Sequence, residues 1–165
     1  MKTVVRFRVE DMIKEINDGL KKFSDENNIK ARLNLSKEKK HLLNLLLYIL
    51  NKDEGFEKGR FGIYVRFAFP LVSGEFLGAG FTLYSDRYMI ERPEIVDEIE
   101  DGPIVRPTMW INALPGFQLL DDANKAERFR IYSFLEDLGF EIWDNRYFPY
   151  IKYALNDNEY LLEEE

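Results

Sequence analysis

Two kinds of apolar spacing alternate along the first half of this chain. Val5, Phe7 and Val9 alternate with Arg6 and Arg8, which predicts a first strand over Thr3–Val9. From Asp11, read as a helix cap, Met12, Ile16, Leu20 and Phe23 recur every three or four positions and predict a helix that stops at Asn27-Asn28. Ile29–Leu35 returns to alternation, with Ala31, Leu33 and Leu35 set against Lys30, Arg32 and Asn34, as in a short half-buried strand. Ser36 then caps a second helix. In it Leu42, Leu45, Leu46 and Ile49 form one apolar stripe and Leu43, Leu47 and Leu50 a second. A helix apolar around most of its girth needs cover on two sides. One cover is the sheet; the other is the first helix, the ordinary solution, or a partner chain.

The second half reads as strands. Phe61, Ile63, Val65, Phe67 and Phe69 alternate up to Pro70, and Val72–Glu75 makes the turn into Phe76–Tyr84. There Leu77, Ala79, Phe81 and Leu83 share one face, while Gly78 and Gly80 leave the other nearly bare, the mark of a bulge or a close approach. A third strand is expected around Tyr88–Ile90. Pro93 suits a first helical position, so Glu94–Asp101 reads as a brief acidic helix or turn stopped by Gly102. Ile104–Ile111 reads as a strand that Pro107 confines to an edge or bulge, and Pro115-Gly116 as a turn. The clearest late helix is Asp122–Leu138, closed by Gly139 and Phe140. Phe140–Trp143 and Arg146–Leu155 form a hairpin around Asp144-Asn145. The expected fold is one α+β domain. It has a mostly antiparallel sheet of about six or seven strands, two N-terminal helices and one later helix packed on it.

Composition changes this picture in three ways. The 165 residues include no cysteine, which removes disulfides, thiolate zinc sites and cysteine nucleophiles. The start of the chain shows no apolar h-region, and no apolar run approaches the ~20 residues of a membrane helix, so a soluble, cytoplasmic protein is expected. Charge is unevenly spread. Residues 1–60, the helical part, carry 14 basic and 10 acidic side chains, a net +4, whereas residues 61–165 carry a net −11. The last ten residues, 156–165, read as an acidic tail beyond the sheet-rich part at 61–155. A whole-chain charge of −7 argues against nucleic acid as a partner and favours a protein with a basic surface.

Candidate chemistry is sparse. The single histidine, His41, follows Lys37, Lys39 and Lys40 on the second helix and reads as a solvated side chain. No Gly-x-Ser-x-Gly elbow or phosphate loop is present, and no cofactor is implied. The basic run Lys30, Arg32, Lys37, Lys39 and Lys40 is able to grip phosphates, although solvated lysines beside a helix start are commoner. Carboxylates alone can hold Mg²⁺ or Ca²⁺. The weak candidates are Asp97, Glu98 and Asp101, which with Glu94 would share one face if 94–101 were helical. A two-carboxylate nuclease site around Asp53, Glu57 and Lys58 is weaker still.

Aromatic residues are the compositional oddity, at 15% of the chain. Trp143, Tyr147, Phe148, Tyr150, Tyr153 and Tyr160 fall on both faces of the expected terminal hairpin, with Glu141 and Asp144 among the acids around them. Only one face of a hairpin can pack on its own domain. Tyr and Trp suit an interface because each joins a large apolar body to a polar tip. The expected function is therefore a non-enzymatic protein-binding module: a small acidic inhibitor, an immunity-type protein or an assembly subunit. Its contact residues would be Trp143, Tyr147, Tyr150, Tyr153, Glu141 and Asp144. The alternatives are a carboxylate-based metal-dependent hydrolase or nuclease, and a homo-oligomer built on the two-faced leucine helix.

Overall fold

The structure, a computed structural model, describes residues 8–52, 61–83, 87–97, 106–115, 142–144 and 149–164. Within them the chain forms α1 (Val9–Asn27), β1 (Ile29–Leu33), α2 (Lys37–Lys52), β2 (Phe61–Pro70), β3 (Phe76–Leu83) and β4 (Tyr88–Val96). It continues as β5 (Thr108–Pro115), β6 (Ile142–Asp144), β7 (Pro149–Ala154) and β8 (Tyr160–Glu164). The strands make two antiparallel sheets, a ribbon β1-β8 and a six-stranded sheet in the order β4-β3-β2-β5-β7-β6. This is an α+β fold with a mostly antiparallel sheet. The third helix expected at Asp122–Leu138 lies outside the described residues, as does most of the first expected strand.

Val9 corrects that strand at its end. It opens α1 and is fully buried, because Val9, Met12, Ile13 and Ile16 continue a helical stripe toward the core. Asp11 does not cap the helix. The N-cap is Arg8, in extended backbone and without a side-chain bond, and the Asp11 N–H donates to Arg8 O at 3.1 Å. Glu10 and Asp11 sit in the first turn instead, where negative charge suits the helix dipole. At the other end Asn28 takes the left-handed conformation (φ 55°), which asparagine tolerates better than most residues.

Ser36 caps α2 as expected. The Lys39 N–H donates to Ser36 Oγ at 3.3 Å and the Lys40 N–H to Ser36 O at 3.0 Å. Leu42 comes from one apolar stripe of α2 and Leu43 and Leu47 from the other, and all three are buried in the chain's own core. The side chains of Leu45, Leu46, Ile49 and Leu50 lie outside the described set.

The sheet core follows the alternation of β2 and β3. Val65 stands between Phe81 and Ile111, Phe67 between Ala79 and Met109, and Phe69 opposite Leu77. These residues join α1, α2 and β1 in one core cluster. All eight residues of β3 are buried, so both of its faces are covered. On the second face Ala68, Phe76 and Trp110 form a smaller cluster.

Gly80 is required by close approach, since a Cβ there would stand 2.5 Å from Val65 O. Beside it the β3–β4 register shifts: Gly78 faces Glu94 and Gly80 faces Glu91, so Arg92 and Pro93 together oppose Ala79. Pro93 therefore occupies a bulge on an edge strand rather than the first position of a helix, and Glu94–Val96 is extended. The missing proline N–H is tolerated there because an edge bulge has no ladder bond to lose. The fifth strand also begins later than its pattern suggested, at Thr108. Pro107 stays outside it, where its carbonyl accepts from the Leu155 N–H at 2.9 Å, and so β5 runs as an interior strand between β2 and β7.

Residues 156–164 are not a loose tail. Tyr160–Glu164 pairs with Ile29–Leu33, opposing Leu33 to Tyr160 and Ile29 to Glu164. The other edge of β1 is closed by α1 in place of a third strand. Asn17 Nδ2 donates to Leu33 O at 2.9 Å, and the Leu33 N–H donates to Asn17 Oδ1 at 2.8 Å. Ser24 Oγ accepts from the Ala31 N–H at 3.4 Å.

Candidate functional site

The aromatic candidates are divided by the fold. Strands β6 and β7 form the expected hairpin, and among the described residues β6 is the outermost strand of the large sheet. Trp143 stands opposite Tyr150 and Asp144 opposite Pro149, while Tyr150 also pairs with Asn112 on β5. Tyr147 and Glu141 lie outside the described residues. The hairpin is not terminal, because the chain continues into β8.

Tyr153 has a different setting. It stands opposite Met109, on the core-facing side of β7, and the residue is 38% exposed. Lys39 Nζ lies 4.2 Å from the ring centroid, a cation–π contact. The same ammonium group is paired with Glu159 Oε1. Both partners of that ion pair are buried, Lys39 at 4% and Glu159 at 1% exposure. Glu159 also accepts from the Ser36 N–H at 3.0 Å and the Asn156 N–H at 3.2 Å. Its carbonyl accepts from the Asn34 N–H at 2.7 Å. Burial alone would raise the pKa of this carboxyl. The donors from Lys39, Ser36 and Asn156, with the charge of Lys39, outweigh burial and hold it below its ordinary value. The result is a clasp that joins the start of α2 to the turn before β8.

This clasp corrects the reading of Lys39 as a solvated lysine. Its sequence neighbours behave as expected: Lys37 and His41 are exposed. Nothing local distinguishes Lys39, since its partner lies 120 residues away. Only the 3.6-residue period hints at it. Lys39 falls one turn before Leu42 and Leu43, on the buried side of α2.

A second polar group missed by sequence reasoning lies on the other face of the sheet. The Tyr64 hydroxyl donates to Glu91 Oε2 at 2.6 Å. Burial, this hydrogen bond and the Glu91 charge together raise the tyrosine's pKa far above its usual value, so it remains a donor. Beside it the Arg66 guanidinium lies over Gly78, where an added Cβ would come within 3.0 Å of it. The bare surface at Gly78 is thus covered by an arginine from the neighbouring strand.

The acidic candidates gain no common face. Glu94 is in β4 and Asp97 lies in a bend just after that strand, so helical spacing does not apply to them. Glu98 and Asp101 lie outside the described residues, as do Asp53, Glu57 and Lys58. Among the described residues no group of three or more acidic or histidine side chains is placed to hold a metal ion. Among them, too, no helix is long and apolar enough to cross a membrane. No protein-family model matches this sequence, and no curated protein or solved structure is found similar to it.

Proposed function

We propose that this chain is a protein-binding module that acts by occupying the surface of another protein, with the β6–β7 hairpin as its contact. The observation that carries this reading is the hairpin's place in the sheet. Among the described residues it is the outermost pair of strands at one end of the large sheet, and Trp143 and Tyr150 stand at opposed positions on it. The end of a sheet is where a second protein most readily adds its own contacts. Trp and Tyr bury much surface at little cost in side-chain freedom, which makes them frequent interface anchors. Tyr153, on the same strand but on its core-facing side, is not part of that surface.

A basic partner fits the charge of this half of the chain. In the sequence Glu141 and Asp144 stand beside Trp143, and residues 61–165 carry −11 in all. Such a field raises the rate of encounter with a basic surface more than it raises final affinity. Inhibitors, immunity-type proteins and assembly subunits all work in this way, and the cytoplasm is the compartment this reading assumes.

The test begins with capture of a partner on the immobilised chain, followed by titration of the purified pair. Trp143→Ala and Tyr150→Ala should each weaken binding by about tenfold or more, as truncated anchors do. Unchanged affinity in both variants removes the hairpin as the contact.

A further inference from the structure

On the opposite side of the fold, α1 and the outer face of the β1–β8 ribbon enclose a groove of about 630 Å³. Its two walls differ in charge. On α1, Glu10, Lys14, Asp18, Lys21 and Asp25 line it. Acid and base alternate there at spacings of three and four residues, so this wall largely neutralises itself. The facing wall contributes Lys30, Arg32 and Lys40 and no acid. Glu163 stands opposite Lys30 across the ribbon, whereas Arg32 stands opposite Leu161. The centre of positive charge is therefore Arg32 with Lys40, beside a leucine that is 43% exposed. This is a basic, partly apolar groove in a chain whose net charge is −7.

We propose that this groove binds an extended acidic peptide segment of a partner protein. Charge complementarity selects the sign of the occupant, and shape selects its class. From Glu10 to Asp25 the α1 wall runs about 22 Å at 1.5 Å per residue, the span of roughly seven extended residues. Lys30 and Arg32 are two positions apart on one strand face, about 7 Å, which matches the repeat of alternate side chains on an extended peptide. Leu161, exposed in the groove, offers apolar contact that a lone phosphate has no use for. The floor is fixed before any ligand arrives, because the Asn17 side chain holds both backbone groups of Leu33. Preorganisation of this kind lowers the cost of ordering on binding. The groove is separate from the hairpin, so it stands or falls independently of the function proposed above.

The probe is the fluorescein-labelled peptide Glu-Glu-Leu-Glu-Glu-Leu-Glu, followed by fluorescence anisotropy at low salt. Saturable binding is expected, weakened about tenfold by the double change Arg32→Glu and Lys40→Glu. It should be untouched by Lys22→Glu, on an exposed part of α1 away from the groove, and by Trp143→Ala. The milder pair Arg32→Gln and Lys40→Gln should show a smaller loss in the same direction, with unchanged circular dichroism for every variant. Equal binding of the lysine counterpart Lys-Lys-Leu-Lys-Lys-Leu-Lys overturns the proposal. So does a failure to saturate, or equal loss with Lys22→Glu. Displacement of the peptide by millimolar inorganic phosphate would make the groove a small-anion site instead, and also overturns it.

Discussion

Along the six-stranded sheet, strands are joined by backbone ladders and by apolar rows such as Phe81, Val65 and Ile111. The β1–β8 ribbon has its own ladder and buries Ala31 and Leu33, but polar ties to the helices are added to these. Asn17 and Ser24 close one of its edges from α1, and the Lys39–Glu159 pair ties the turn before β8 to the start of α2. The first kind of cohesion is diffuse, because each apolar contact contributes little and many share the load. The second is concentrated in a few polar groups, each of which becomes costly if its partner is lost. The ribbon should therefore respond to single substitutions and to pH far more sharply than its size suggests.

The largest effect should come from Glu159→Ala. It leaves the Lys39 ammonium buried without its carboxylate, and breaking a buried pair in this way costs about 4 kcal/mol. Chemical denaturation of the purified protein measures it. The double change Lys39→Met and Glu159→Leu should recover most of the loss, because an apolar pair of similar volume needs no solvation. If the double variant is as unstable as Glu159→Ala, the clasp does more than balance charge. The pH dependence has a definite sign. Glu159 has its pKa lowered in the folded chain, so the folded state binds fewer protons than the unfolded state at mildly acid pH. Its contribution is complete above the unfolded value of about 4.3 and is lost as pH falls through the lowered folded value. Melting temperature should drop over that range in the wild type and drop less in the apolar double variant.

Leu77→Ala probes the other kind of cohesion. Leu77 is fully buried opposite Phe69, and its truncation should cost about 3 kcal/mol through lost burial and a residual cavity. That deficit should stay nearly constant between pH 3 and pH 7, since no titrating group is touched. A deficit that grew with acid would mean that the two regions are not independent.

This contrast also explains what the sequence made legible. Alternation predicted β2 and β3 because a strand's side chains report their burial at a period of two, and two strand-like runs around a turn predicted the β6–β7 hairpin. Ser36 announced its helix because a cap is a local bond. The same logic failed where the deciding partner was distant. Lys39 and Glu159 lie 120 residues apart, and Asn17 reaches a backbone 16 residues on, so neither pair leaves a periodic trace. β8 was missed for that reason: Tyr-Leu-Leu-Glu-Glu carries no alternation, and it is a strand because β1 pairs with it. Pro93 misled because its fixed φ suits a helix start and an edge bulge equally, and only the Gly78–Gly80 register shift decides between them. The hairpin was legible as structure, whereas its role as a contact is a proposal that rests on its place at the end of the sheet, which periodicity does not encode.

Asn17→Ala sharpens the comparison at smaller scale. It removes the acceptor for the Leu33 N–H and the donor for the Leu33 carbonyl together, on a partly buried edge. About 2 kcal/mol is expected, with faster amide hydrogen exchange at Leu33 and little change in β2 or β3. Uniform acceleration across both sheets would show that the ribbon and the large sheet open as one unit.

The smallest expected effect is at Tyr64, where a polar contact belongs to the large sheet. Tyr64→Phe deletes the hydroxyl that donates to Glu91, but Glu91 is exposed and water replaces the lost donor. The cost should be about 1 kcal/mol, that of an ordinary hydrogen bond. Its pH signature is opposite to that of Glu159. The folded-state pKa of Tyr64 is raised, so its contribution is whole below the unfolded value of about 10 and is lost as pH rises toward the folded value. Alkaline melting curves of the wild type and Tyr64→Phe should therefore converge, while their acid limbs stay parallel. If the Tyr64 variant instead lost several kcal/mol, polar anchoring would extend to the second face of the large sheet, and the division between the two regions would not hold.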